Sequence, residues 1–486
     1  MDQNKLLRAI ARIHAYGRPV DFTKPFLAAD RFKGVGTGFF IHPPTPTPTY
    51  LYVLTCAHVV DSADTVTIML PLLGLSEYTA SVLGLVPGYD IAVLAVPVSD
   101  SALLGQASPL TLGKSDSLKL GQKLTAVGYP LGQTAIKVSD GVYAGFQEKL
   151  QHTVSISPGN SGGPLMTEDG LVVGINSSGI LSPEASNVGF AVPIEMFSLM
   201  STPIFAQTPG PPSPERVIRL PMFGFEFAPI TRSHSRAVGA STCSSTSYEG
   251  GVQITSIIPG SSMDSMSPGD ILVEFDGMAI DTIGEMDVPW NYQKVRLQDV
   301  LVRCVEGREY EIRVWKQDSG SCMVKRVKPR PSMSPSLRLI YPPYDRVPYM
   351  IVLGLVIMPL LGNHLFAPTV AKTYMCKKPT DLANPCLIIA HVFNGTLAQI
   401  EGPLHAGDEV SHVNDVKVNT LDDVLASLCK FTTINGSKVL TVKTKNGKVF
   451  MVNTLDALQS EERASVEKIY TPEPTLLKHL SVERTS

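Results

Sequence analysis

The sequence predicts a mainly β, multi-domain chain, and three observations carry that prediction. Short apolar runs separated by Gly, Pro, Ser and Asp turns recur at regular spacing through residues 30–200, the pattern of an all-β barrel or sandwich. The 486 residues exceed what one hydrophobic core supports, and about two to four domains are expected. Beyond two proline-rich stretches, a strand–turn–short helix–strand–hairpin pattern occurs twice, as a weak internal repeat. With 44% apolar and 17% charged residues, the chain is globular rather than disordered.

Taken in order, Lys5-Leu6-Leu7-Arg8-Ala9-Ile10-Ala11-Arg12-Ile13 is basic and amphipathic. It fits an organelle presequence or the lead-in to a first strand, though it lacks the serines of a presequence. His42 to Thr49, with Pro43, Pro44, Pro46 and Pro48, is a loop between early strands, and Phe197 to Met200 ends the first domain in a short helix. Thr208-Pro209-Gly210-Pro211-Pro212-Ser213-Pro214 is an extended linker, since proline removes donors and stiffens the chain. Next come Gly250-Gly251-Val252-Gln253-Ile254-Thr255-Ser256-Ile257 and Pro259-Gly260-Ser261-Ser262. Pro268-Gly269-Asp270-Ile271-Leu272 leads to an Asp276-Gly277 hairpin turn, and the succession reads as a PDZ domain. A second linker, Lys328 to Pro335, follows. Met350 to Leu361 is strongly apolar but is 12 residues long and carries Pro359. A membrane span needs about 20 residues, so a buried strand pair is expected. Leu387 to Val392 is a strand, and Ala406 to Asp415 repeats the hairpin logic. Thr420 to Leu428 is a helix with Leu421, Val424, Leu425 and Leu428 on one face and Thr420 or Asp422 as cap. The tail after about 458 is charged and is expected to be partly disordered. These readings divide the chain into 1–205, a linker 206–219, a PDZ-like domain 220–328, a linker 329–345, a second PDZ-like domain 346–457 and a tail 458–486.

The chemistry concentrates in Ser157-Pro158-Gly159-Asn160-Ser161-Gly162-Gly163-Pro164-Leu165. A nucleophilic serine must be exposed while backbone N–H groups point at the carbonyl oxygen under attack, and neighbouring glycines permit both. Upstream, His58 follows the β-rich run Tyr50 to Leu54, and Asp90 heads the apolar run Ile91 to Leu94. Histidine, then aspartate, then serine is the chymotrypsin order, distinct from those of subtilisin and the α/β-hydrolases.

Gly36-Thr37-Gly38-Phe39, Leu54-Thr55-Cys56-Ala57-His58, Asp90-Ile91-Ala92-Val93-Leu94, Val127-Gly128-Tyr129-Pro130-Leu131-Gly132, Gly159 to Pro164 and Asn187-Val188-Gly189-Phe190-Ala191-Val192-Pro193 occur in the order found in the HtrA/Deg serine proteases, which the chain resembles. The plant-type branch with two divergent PDZ domains is the most similar. The resemblance implies a chymotrypsin-like double β-barrel protease domain, 1–205, with residues 5–13 leading into its first strand, followed by two PDZ-like domains. It implies catalysis by His58, Asp90 and Ser161, an oxyanion hole from the N–H groups of Gly159, Asn160 and Ser161, and no metal or other cofactor. It also implies unfolded polypeptide substrates and homo-oligomers built from trimers. The expected function is ATP-independent proteolysis of misfolded proteins. The alternatives are a PDZ-based scaffold with an idle protease domain, and a dedicated processing protease.

The resemblance further implies that Ser155, six residues before the nucleophile, lies at the base of the S1 pocket, with Gly174, Ile175, Asn176 and Ser177 as the opposite wall. No aspartate is present there, so cleavage after small or medium apolar residues is expected. Phe223, Gly224 and Phe225 are candidates for a PDZ carboxylate loop, and Leu353-Gly354-Leu355-Val356 is the counterpart in the second unit, where packing between subunits is the expected role. One stretch departs from the family: His152-Thr153-Val154-Ser155-Ile156-Ser157 stands where Thr-Asp-Ala-Ala-Ile-Asn is usual, which puts loop ordering and basal activity in question.

A net charge of −3 without a basic stripe gives no reason to expect nucleic acid or an anionic membrane as partner. Seven cysteines without a C-x-x-C pair argue for reduced thiols and against a disulfide framework or zinc. With no secretory signal visible, a cytosolic or nuclear home is expected, an organelle matrix or a virus particle remaining as alternatives. Leu112-Gly113-Lys114-Ser115 lacks the first glycine of a phosphate-binding loop and reads as a turn.

Overall fold

A computed structural model describes residues 3–45, 49–98, 103, 105–179, 188–243, 250–331, 338–374, 381 and 384–485. Pro46 and Pro48 of the first loop, Asn187, and residues 332–337 of the second linker lie outside the described residues. The chain forms two compact units. One comprises residues 1–19, 30–332 and 341–345, the other 20–29, 333–340 and 346–486.

Two closed antiparallel six-stranded barrels open the first unit. The first contains β1 (Ile10–Gly17), β2 (Phe32–Ile41), β3 (Tyr50–Thr55), β4 (Ala63–Met69), β5 (Tyr78–Val86) and β6 (Ile91–Pro97), in the order β1-β2-β3-β6-β5-β4. The second contains β7 (Lys123–Gly128), β8 (Lys137–Gln147), β9 (Lys149–His152), β10 (Pro164–Thr167), β11 (Val172–Gly179) and β12 (Gly189–Pro193), in the order β10-β11-β12-β9-β8-β7.

Side chains alternate across a strand, and here both faces find a core. In β6, Ala92, Leu94 and Val96 fill the first barrel, whereas Ile91, Val93 and Ala95 join Val127, Met166 and Val192 of the second barrel in a shared cluster. A strand buried on both sides reads as a continuous apolar run, which is why Ile91 to Val96 carries no polar residue. Each of the Ile, Leu, Val and Met side chains contributes about 1.5–3 kcal/mol on burial, and each alanine less.

Residues 5–9 belong to a helix, Gln3–Ala9, and only from Ile10 does the chain enter β1. The short helix expected at 197–200 runs over Ile194–Phe205. The proline-rich linker is docked rather than free: buried Arg216 donates to the carbonyls of Thr208, Pro211 and Val82.

Beside two two-stranded sheets, this unit has a larger sheet in the order Phe225–Pro229, Val252–Ile257, Ile271–Phe275, Tyr310–Lys316 and Ser321–Val327, with Met278–Ala279 pairing off Ile271–Phe275 and a short helix at Leu297–Leu301. The rings of Phe223, Phe275 and Tyr310 pack mutually at 5.4–5.9 Å in its core. Against the expectation of reduced thiols, Cys243 and Cys322 are joined, their Cα atoms 5.4 Å apart. The fold brings together cysteines 79 positions apart, a pairing that spacing alone does not reveal.

In the second unit the apolar run 350–361 forms the expected strand pair, Met350–Val352 and Leu355–Pro359, turned by Leu353 and Gly354 at positive φ. Leu421–Ser427 is a helix capped by Thr420, whose hydroxyl accepts from the N–H of Asp423. The supposedly disordered tail is helical instead, at Thr454–Val466 and Pro474–Thr485. Leu458, Leu476 and Leu480 are buried in the unit's core, and that burial stabilises both helices. Residues 20–29 also belong to this unit: Phe26 packs on Phe393 and His391 at 4.4 and 5.4 Å.

Candidate active site

The pairing of β3 with β6 sets Thr55 opposite Ala92, so the chain leaving β3 and the chain entering β6 emerge side by side. His58 lies on a short 3₁₀ turn just beyond β3, and Asp90 stands at φ 61° just before β6. Asp90 Oδ1 accepts from the His58 backbone N–H at 3.0 Å, while the ring Nδ1 lies 2.8 and 3.0 Å from the two carboxylate oxygens. An ionised carboxylate only accepts, so the Nδ1 proton points at Asp90 and Nε2 is left with its lone pair.

Both groups are tuned by this contact. Burial opposes the His58 imidazolium, but the hydrogen bond and charge of Asp90 outweigh it and raise the ring above its usual 6.5. Burial likewise opposes the Asp90 carboxylate, yet hydrogen bonds from His58 and Ser177 hold it below the usual carboxylate range.

Ser161 sits on the loop between β9 and β10. Its carbonyl accepts from the N–H of Thr37 at 2.9 Å, and the N–H of Gly162 donates to Asn176 at 2.7 Å. Only glycine fits at 162: φ is 86°, and a Cβ would meet Thr55 Oγ1 at 2.1 Å and the Thr37 carbonyl at 2.2 Å. The Ser161 hydroxyl donates to the Ser177 carbonyl at 3.0 Å. Among the described residues it makes no bond to His58, and such bonds are often open until substrate binds.

Of the three expected oxyanion donors, one is corrected. The Asn160 N–H is spent on the carbonyl of Ser157 at 3.0 Å. The N–H groups of Gly159 and Ser161 have no partner among the described residues. The Pro158 carbonyl accepts from Leu131 N–H at 2.6 Å, which turns the Gly159 N–H the opposite way across a planar trans peptide. The Gly159 carbonyl is held by the Thr37 hydroxyl at 2.6 Å.

The expected S1 set does not converge. Ser155 is exposed, Ile175 packs in the cluster between the barrels, and the Asn176 amide donates to the Pro164 carbonyl at 3.1 Å. Ser177 donates through Oγ to Asp90 Oδ2 at 2.6 Å and so belongs to the histidine–aspartate pair. Residues 180–187 lie outside the described residues. In the altered segment, the Thr153 hydroxyl and N–H tie to Val142, and His152 is buried with both ring nitrogens unpartnered among the described residues.

Sequence reasoning missed two groups. Thr37 was visible only inside its glycine motif, although its hydroxyl also accepts from the Tyr129 N–H at 3.0 Å. Lys149, whose ammonium donates to Ser177 Oγ at 2.7 Å, carries no local signal. Cys56, His58 and Asp90 are close enough to suggest a metal centre. Burial and the nearby Asp90 charge, however, push the Cys56 thiol well above its usual value, and it donates to the Asn176 carbonyl at 3.2 Å. A protonated thiol is no ligand.

Of the PDZ-loop candidates, Gly224 is at φ 76° and Phe223 is turned into the core. Among the described residues the strand Phe225–Pro229 pairs only with Val252–Ile257 and forms a sheet edge, whereas Leu355–Pro359 in the second unit is paired on both sides.

The family described as trypsin-like peptidase domain matches residues 36–175. A probable periplasmic serine endoprotease DegP-like of Chlamydia pneumoniae is 30% identical over 293 residues, covering 57% of this chain and 54% of that protein. The serine protease Do-like HtrA of Bacillus subtilis (strain 168) is 28% identical over 295 residues, 57% of this chain and 60% of that protein. The chain thus spans little more than half the length of these curated relatives. Among solved structures, a variant of the HtrA-type protease AlgW with decapeptide matches with a TM-score of 0.50 at 20% identity, covering 70% of this chain and 99% of that one, a likeness of fold. Relatives named periplasmic, from Chlamydia pneumoniae and Halomonas elongata among others, overturn the expectation of a cytosolic or nuclear home. Among the described residues, no helix is long and apolar enough to cross a membrane.

Proposed function

We propose that this chain carries a peptidase domain of the HtrA/Deg type and that the protein is an ATP-independent serine endopeptidase acting on unfolded polypeptides outside the cytoplasm. The observation that carries the reading is the His58 ring held 2.8 Å from Asp90 beside the glycine-framed Ser161. In this reading His58 Nε2 takes the proton as Ser161 Oγ attacks the scissile carbonyl, and Asp90 stabilises the imidazolium that forms. The unpaired N–H groups of Gly159 and Ser161 receive the oxyanion, each worth roughly 10²–10³ in rate in other enzymes. His58 then protonates the leaving amine, and water releases the acyl group along the reverse path.

The two PDZ-like regions are assigned different work. The free edge of Phe225–Pro229 supports capture of a peptide as an added strand, with Phe223, Gly224 and Phe225 near its carboxylate. The edge of Leu355–Pro359 is already filled by the chain's own Met350–Val352, which favours packing between subunits.

The test is labelling with a fluorophosphonate probe and digestion of unfolded casein, for the wild type and Ser161→Ala. Labelling and digestion that both vanish in the variant support the reading. A wild type that takes no label overturns it in favour of an idle domain on a scaffold.

A further inference from the structure

Lys149 closes a chain of contacts that reaches the candidate catalytic pair from behind. Its ammonium lies 2.7 Å from Ser177 Oγ and 3.9 Å from Asp90 Oδ2, and Ser177 Oγ lies 2.6 Å from the same Asp90 oxygen. The proton directions follow from chemistry. A lysine ammonium has three donors and no acceptor, so Ser177 Oγ must accept from Lys149. The single hydroxyl proton is thereby committed to Asp90, which as a carboxylate can only accept.

We propose that Lys149 is a positioning residue for proteolysis: it locks the Ser177 hydroxyl onto Asp90 and restrains how strongly Asp90 draws a proton onto His58. The inference rests on the proposed proteolytic reading. Among the described residues, few charged and titratable groups act on His58. Asp90 and Asp61 favour its charged form and Lys149 disfavours it, while Cys56, also beside Asp90, is a neutral thiol. Two carboxylates on one imidazole would hold it protonated, and hence useless as a base, further into the neutral range. Lys149 is the cation that opposes them. Its side chain is about one-third exposed (35%), so it is a screened, moderate influence rather than a buried ion pair.

Lys149→Met and Lys149→Arg test this. The acid-side midpoint of kcat/KM is expected to move up by about half a pH unit in Lys149→Met. Activity then falls about threefold on the acid limb and little on the alkaline plateau. Lys149→Arg, which keeps charge and donors, is expected to restore the wild-type midpoint. An NMR titration of the His58 ring in a Ser161→Ala background reads the same shift without requiring turnover. An unchanged midpoint by either method, or a uniform loss at every pH, overturns the proposal. Failure of the wild type to label with a fluorophosphonate would overturn the proteolytic reading instead, and the His58 titration would still decide the role of Lys149.

Discussion

Thr37 ties the nucleophile loop to the first barrel through one side chain. Its hydroxyl donates to the Gly159 carbonyl and accepts from the Tyr129 N–H, and it is wholly buried. Thr37→Val keeps the shape and strands both backbone groups, a cost of about 1–3 kcal/mol for each. Fluorophosphonate labelling by Thr37→Val is expected to slow by more than about tenfold, with Thr37→Ser close to wild type. Protonation supplies a second prediction at this scale. The raised His58 value means that its stabilising proton is present below 6.5 and is lost as pH rises through the higher folded value. Because the base must be neutral, kcat/KM is expected to rise with pH through a midpoint above 6.5, and a pH–rate profile checks this. His58, Asp90 and Ser161 were legible because each sits in a short local motif. Lys149 was not, since its partner Ser177 lies 28 residues away and nothing in its neighbours marks the contact.

Among elements, β6 was the easiest to read and shows why. Two buried faces demand an unbroken apolar run, and such a run bounded by a turn residue is a strand signal. Leu94→Ala, at the centre of that strand, is expected to cost about 2–5 kcal/mol by denaturant unfolding. The terminal helices were hidden for the opposite reason. In Pro474–Thr485 the core contacts among the described residues are Leu476, Leu480 and the partly buried Leu477, a narrow stripe within an otherwise polar segment. A composition that solvates well reads as disorder until the partner surface is known. The S1 wall was hard to read for a third reason: position relative to the nucleophile locates a backbone, but whether Ile175 faces a pocket or a core depends on the first barrel packing against it.

For the molecule as a whole, acid should act unevenly on the two units. Burial lowers His152 of the first unit and His364 of the second to about 4. The unfolded chain then takes up these protons first, so stability falls as pH drops from about 6.5 to 4, by on the order of 3 kcal/mol for each. Glu461 of the second unit has the reverse sign, being pushed up to about 7 by burial despite the hydrogen bond from Tyr470. Its neutral form suits the fold, so it adds stability as pH falls from 7 towards 4.5 and offsets His364. Thermal unfolding at pH 7 and pH 4.5 is expected to show a smaller acid loss in His152→Leu than in the wild type, and a larger one in Glu461→Gln.

The ten residues at 20–29 carry a consequence for modularity. A gene fragment beginning at residue 346 would encode most of the second unit, yet it would omit Phe22 and Phe26, whose rings pack edge-on or tilted against His364, His391 and Phe393. That unit is therefore not a cassette that recombination can lift from one protein and append to another. Its fold draws on the stretch of chain between β1 and β2.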